Sequence, residues 1–243
     1  MIPQPEPTPP PTPHPPQPFF DYTDLFFFIG LCVPCLLFAT LLVRTTAIFI
    51  HTPPPAMLLL IQGIWYFLAF GSIAALFRIR YRQPFWRALG WRSLSFPSSL
   101  GALLAGPLLA LALGMLGAAL HTPEIDLPFQ QMLGSTGTII LLGILVVILG
   151  PVAEELAFRG FLMPLLVRSL GAAGGIVVTG FLFGSIHGYE YEWSWRHMLL
   201  ISLVGCAFGW AKYKTQSTAA AAFMHCTFNL TQFAAFLWQA RTL

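Results

Sequence analysis

What most constrains this chain is the recurrence of long apolar runs separated by short polar breaks, as in "TIILLGILVVIL" at 138–149. Crossing a bilayer as a helix takes about 20 apolar residues. Runs of that order occur near 24–43, 56–77, 99–120, 137–168, 171–188, 197–213 and 218–238. Inside lipid every backbone N–H and C=O must be satisfied within the segment, so such runs predict helices. The expected fold class is all-α, a polytopic membrane helix bundle of about seven transmembrane helices. Charged residues make up only 9% of the chain, which leaves no basic face for nucleic acid and makes the lipid bilayer the first partner.

Three divisions follow from the composition: a Pro-rich disordered tail at 1–20, two N-terminal transmembrane helices with a basic loop at 21–98, and a core at 99–243. The first eighteen residues, "MIPQPEPTPPPTPHPPQP", contain ten prolines and suit a solvated polyproline-II segment, without the basic start and short apolar stretch of a signal peptide. The loop "RIRYRQPFWRALGWR" carries Arg78, Arg80, Arg82, Arg87 and Arg92, and the positive-inside rule makes it and the N-terminus cytoplasmic. Alternating from there puts Arg159, Arg168, Lys212 and Lys214 inside as well, against Arg44, Arg196 and Arg241 outside. The acidic loop "HTPEIDLPFQQM" then falls outside. Short loops and compact size suggest a bacterial inner membrane.

Against that background, Glu154, Glu155 and Arg159 in "GPVAEELAFRGFLMPLL" are anomalous. A charge at mid-membrane costs about 2.5–3.5 kcal/mol on insertion scales. Glu155 and Arg159 are four apart, hence on one helical face, and can pair. Glu154 points about 100° away around the helix and is left over. A carboxylate withdrawn from water beside a second one is a stronger base than a solvated one. The alternative for all three is a helix end whose charges snorkel to water.

The fourth and fifth spans are expected to form an antiparallel hairpin turning near "RSLGAAGG" at 168–175. Glu154 lies about sixteen positions before that turn and His187 about sixteen after, so both reach a similar depth at about 1.5 Å per residue. In the last span, His225 and Asn229 are four apart and share a face. Glu154, His187, His225 and Asn229 together offer a base, two imidazoles and an amide donor, the groups needed to activate water and hold an oxyanion. Glu154, His187 and His225 also make a candidate zinc site, although the H-E-x-x-H pattern of soluble proteases is missing.

The quoted segments "EELAFRG", "FLFGSIH" and "HCTFN" resemble the ordered E-E-x-x-x-R, F-x-x-x-H and H-x-x-x-N motifs of the CPBP intramembrane proteases, the CAAX-processing and bacteriocin-processing relatives. The resemblance covers roughly 135–238. It implies an intramembrane endopeptidase acting on a peptide or lipidated protein substrate. By the same resemblance Glu154 is the base and His187 its partner, His225 and Asn229 stabilise the oxyanion, and Glu155, Arg159 and Phe183 support the site. Two rival readings stay open: a non-cleaving scaffold or immunity protein on the same fold, and an ion-coupled transporter, the latter weakened by the lack of an evident inverted repeat.

Other features read as structural. "CVPC" at Cys32–Cys35 sits in an apolar span without a thioredoxin-like strand pattern, so small apolar filler is the expectation. "HGYEYEWSWRH" at 187–197 suits an interfacial aromatic belt. "GAAGGIVVTG" suits close helix packing, and "ALGWR" carries a weak similarity to the same family. Nothing in the sequence determines the oligomeric state.

Overall fold

The computed structural model describes residues 18–50, 54–125 and 132–242. The Pro-rich tail lies outside them up to residue 17, and the acidic loop is described only at its two ends. Helix α1 spans Tyr22–Thr46, and α2 spans Pro54–Leu76 and continues as a π-helical segment, π1, over Phe77–Tyr81. A short α3 (Phe85–Ala88) precedes α4 (Phe96–Ala119). The fourth run is composite: α5 (Thr136–Ile144), π2 (Leu145–Leu149), α6 (Gly150–Glu155), π3 (Leu156–Leu162) and α7 (Met163–Ile186). Helices α8 (Trp195–Thr215) and α9 (Thr218–Thr242) close the chain. No strand occurs among the described residues.

Among the described residues, four helical runs are long and apolar enough to cross a membrane: Tyr22–Thr46, Pro54–Tyr81, Phe96–Ala119 and Thr136–Ile186. The last is two arms. Gly171 has φ 75° and ψ 172°, a conformation open to glycine and strained for other residues. A Cβ on Gly175 would lie 2.7 Å from the Val167 backbone nitrogen, a separation that a straight helix could never give residues eight apart. The expected hairpin is therefore present at the expected glycine. Helix α8 is less apolar than these runs, but its 21 residues still span about 32 Å. Seven long helical arms in the described residues, at the positions read from the sequence, make this an integral membrane protein of the helical-bundle class.

The helix starts follow side-chain chemistry. Asp21 caps α1, accepting from the backbone N–H groups of Thr23 and Asp24 while the Asp24 carboxylate reaches back to the Asp21 N–H, a reciprocal capping box. Ser95 and Ser135 cap α4 and α5, their hydroxyls accepting from the Ser98 and Thr138 N–H groups. Helices α7 and α8 touch through bare backbone, with a Cβ on Gly205 only 2.9 Å from the Gly180 Cα, as small-residue membrane packing requires.

Two of the π segments share a sequence cause. Proline lacks an N–H and its ring clashes with the carbonyl four residues earlier. Pro151 and Pro164 stand four residues after Val147 and Gly160, which lie inside π2 and π3 respectively, whereas π1 simply ends at Arg82, which is left-handed. Pro34 and Pro107 sit inside α1 and α4 without such widening, so proline permits the wider turn and packing selects it.

An aromatic core joins the N-terminal hairpin to the rest. Phe20 and Phe77 pack on Phe161 of π3, with ring centroids 4.8 and 5.7 Å away. Phe20 is 1% exposed and sits within this core. The "ALGWR" segment fastens the start of α9: the Leu89 carbonyl accepts from Thr218 Oγ1 at 2.6 Å, and the Gly90 carbonyl from the Thr218 N–H at 2.9 Å. All four cysteines, Cys32, Cys35, Cys206 and Cys226, are free.

Candidate active site

Two adjacent wide turns shape the site. In π2 the Gly150 N–H reaches back to the Leu145 carbonyl, bypassing Val146. The Val146 carbonyl instead accepts from Asn229 Nδ2 of α9 at 2.7 Å. A π-bulge of this kind frees a backbone group and re-aims the residues beyond it, which is why such segments concentrate at functional sites. Glu154 and Glu155 end the single α-helical stretch between π2 and π3.

Glu155 is fully buried and its Oε1 is shared. Arg159 donates to it at 3.0 Å, and His225 Nδ1 lies 2.9 Å from the same oxygen. The Arg159 guanidinium, also fully buried, donates from its second terminal nitrogen to the Gly205 carbonyl at 2.6 Å. It lies against Phe183 (4.6 Å to the ring centroid), Phe208 (5.5 Å) and Phe158 (5.8 Å), a setting in which cation–π attraction replaces part of the lost hydration. Glu155 Oε2 and Arg159 Nε have no hydrogen-bond partner among the described residues. The Glu155–Arg159 pair expected from the spacing is therefore present, and it extends to His225.

Glu154 differs from its neighbour. Its side chain is 25% exposed, and it makes no hydrogen bond among the described residues. Its nearest ionisable partner is His225 Nε2, 3.8 Å from Oε2, which is too long for a hydrogen bond. The His225 ring is stacked on Phe208 at 4.5 Å between centroids.

His187 ends α7 and is held back by its own helix, with Nδ1 2.7 Å from the Phe183 carbonyl. Its ring stands 4.8 Å from Phe183, which in turn stands 5.8 Å from His225. His187 thus joins the site through Phe183 and has no direct contact with Glu154. The depth match failed to become a contact because π3 lies between Glu154 and the turn, and residues in a wide turn do not advance as α-helical ones do.

The hydrogen bonds fix the imidazoles. A carbonyl can only accept, so His187 carries its proton on Nδ1, and in the neutral ring Nε2 is an acceptor. The same holds for His225, whose Nδ1 faces the Glu155 carboxylate. Among the described residues no group of three His, Cys, Asp or Glu side chains is placed to hold a metal ion. Glu154, His187 and His225 are therefore not gathered as such a group, while the Nδ1 contacts of both histidines leave their Nε2 atoms uncommitted.

Three details were not foreseen: the shared Oε1 of Glu155, the Phe208 stack and the Gly205 carbonyl beneath Arg159. Only the prolines hinted at the wide turns behind them. Arg159, counted among the inner basic residues, is buried within the bundle and has no weight in the loop tally. In the first turn of α8, His197 stacks on Tyr191 of the preceding loop at 4.9 Å, and its Nδ1 lies 3.0 Å from Ser194 Oγ.

Residues 135–231 match the model of the family described as "Type II CAAX prenyl endopeptidase Rce1-like". That stretch contains all three motifs. No curated protein and no solved structure matches the chain.

Proposed function

From the match of residues 135–231 to the type II CAAX prenyl endopeptidase family model, we propose that the chain is an intramembrane endopeptidase in which Glu154 activates a water molecule against a peptide bond. The observation that carries the reading is the contrast within one dipeptide. Glu155 is buried and bonded to both Arg159 and His225, whereas Glu154 is partly exposed, makes no side-chain hydrogen bond among the described residues and lies 3.8 Å from Nε2 of His225. A positioned carboxylate of this kind suits general-base catalysis.

Glu154 takes a proton from water, the water oxygen bonds to the scissile carbonyl carbon, and the carbonyl electron pair moves onto oxygen. The intermediate collapses as the C–N bond breaks, and Glu154 returns its proton to the leaving amine. The Glu155–Arg159–His225 unit holds the His225 ring in place, and His187 borders the same space with its Nε2 acceptor. Atoms and charges balance without a metal step. The substrate class is a peptide or lipidated protein segment that reaches the site from the bilayer.

The test uses purified protein in detergent, an internally quenched peptide bearing a farnesylated CAAX cysteine, and the same peptide without the lipid. Cleavage is read by fluorescence, and the cut position by mass spectrometry. The expected result is cleavage that His187→Ala reduces, and cleavage unaffected by a chelator. Failure of the wild type to cut either peptide would overturn the reading; chelator-sensitive activity restored by zinc would overturn its metal-free form.

A further inference from the structure

None of the three motifs lies in α8, yet α8 turns two groups, one helical turn apart, onto the site. The Gly205 carbonyl accepts from Arg159 at 2.6 Å. Three residues on, the centroid of the Phe208 ring lies 5.5 Å from the Arg159 guanidinium carbon and 4.5 Å from the centroid of the His225 ring, whose plane is inclined to it by only 27°. Phe208 has no solvent exposure. Phe183 meets the same imidazole at 5.8 Å and 78°, edge to face, so Phe208 is the one ring stacked on His225 among the described residues.

A hydrogen bond and a stacked ring constrain an imidazole differently. The contact of Nδ1 with Glu155 Oε1 at 2.9 Å fixes one atom and leaves the ring able to pivot about it. The stack fixes the plane, because the overlap of the two faces is lost when either ring tilts. With both in place, Nε2 stands 3.8 Å from Glu154 Oε2. The carboxylate and the neutral Nε2 are both acceptors, so a water molecule that gives one hydrogen bond to Glu154 has its second O–H for Nε2. That second bond aims the water's lone pair.

We propose that Phe208 is a positioning residue of the hydrolysis, its ring holding the His225 plane so that Nε2 orients the attacking water beside Glu154. It touches no reacting atom and acts through His225. The proposal rests on the endopeptidase reading above.

The experiment compares wild type, Phe208→Leu, Phe208→Met, Leu165→Ala and Glu154→Gln. Leu165 is fully buried in the separate core cluster around Phe77 and Phe161 and serves as the packing control. One readout is kcat and KM per folded protein on whichever of the two quenched peptides the wild type cuts. The other is the Cε1–H resonance of His225 in protein carrying isotope-labelled histidine, assigned by its loss in His225→Gln; a stacked phenyl ring displaces that resonance to high field.

Phe208→Leu is expected to lower kcat about 100-fold at unchanged KM, the scale of a small misplacement in a reacting assembly, and to return the resonance towards that of an unstacked histidine. Phe208→Met keeps the bulk without the flat face and should move both readouts the same way; it decides the matter if Phe208→Leu does not fold. Leu165→Ala should lower the unfolding midpoint and leave both readouts at their wild-type values. Wild-type kcat in folded Phe208→Leu, with Glu154→Gln inactive, would overturn this proposal and leave the endopeptidase reading standing. An unmoved His225 resonance, or an equal loss of kcat in Leu165→Ala, would also overturn it. An active Glu154→Gln would sink both.

Discussion

Asp24 and Glu155 are both fully buried carboxylates beside an arginine, and the chain treats them differently. Asp24 spreads its bonds over both oxygens: Oδ2 accepts from Tyr81 at 2.7 Å and from the Asp21 N–H at 3.0 Å, and Oδ1 meets Arg80 at 3.3 Å. Arg80 itself remains 44% exposed. Glu155 concentrates Arg159 and His225 on one oxygen, leaves the other without a partner, and is paired with an arginine that has no exposure at all. The first arrangement is what a structural cap needs. The second leaves polar atoms unsatisfied in order to hold His225 next to Glu154, and such local cost is characteristic of functional sites.

The comparison breaks most visibly at Glu155. Glu155→Ala strands a buried guanidinium, and removing one member of a buried pair costs about 3–5 kcal/mol. Chemical unfolding in detergent should register that loss together with loss of cleavage. Asn229→Ala should cost about 1–3 kcal/mol, because the Val146 carbonyl bypassed by its own helix is then left unpaired. Asp24→Asn belongs to the same range for a disturbed buried acceptor, but the folded fraction should keep the wild-type kcat; a kcat loss there would erase the distinction between the two clusters. Arg80→Ala should cost no more than about 1 kcal/mol, as for an exposed partner.

The smallest effect concerns Asp21, outside the membrane segment. The hydrogen bond it accepts from the Asp24 backbone N–H is the largest cause holding its carboxyl below the ordinary value, and the Thr23 N–H adds to it. A group whose folded pKa is lowered contributes stability above its unfolded pKa and loses it as pH falls through the folded value. Amide exchange at Thr23 and Asp24 should therefore accelerate on acidification into that window, while amides of α8 stay protected.

Much of this was readable in advance where one physical rule acts locally. Apolar run length located the seven helical arms, Gly171 located the reversal, and the i,i+4 spacing gave the Glu155–Arg159 pair. What escaped depends on how helices are phased against one another. Counting residues at α-helical rise put His187 opposite Glu154, but π3 intervenes and His225 is the imidazole that comes nearest. Asn229 looked like a free donor until π2 released the Val146 carbonyl to it.

The most direct measurement is the single-turnover cleavage rate of Glu154→Gln, normalised to folded protein and set beside its unfolding midpoint. Loss of a general base should lower that rate by about 100- to 10,000-fold while the midpoint stays at the wild-type value, because Glu154 makes no hydrogen bond within the described residues. A Glu154→Gln protein that cleaves at the wild-type rate would contradict the assignment of the chemistry to this carboxylate.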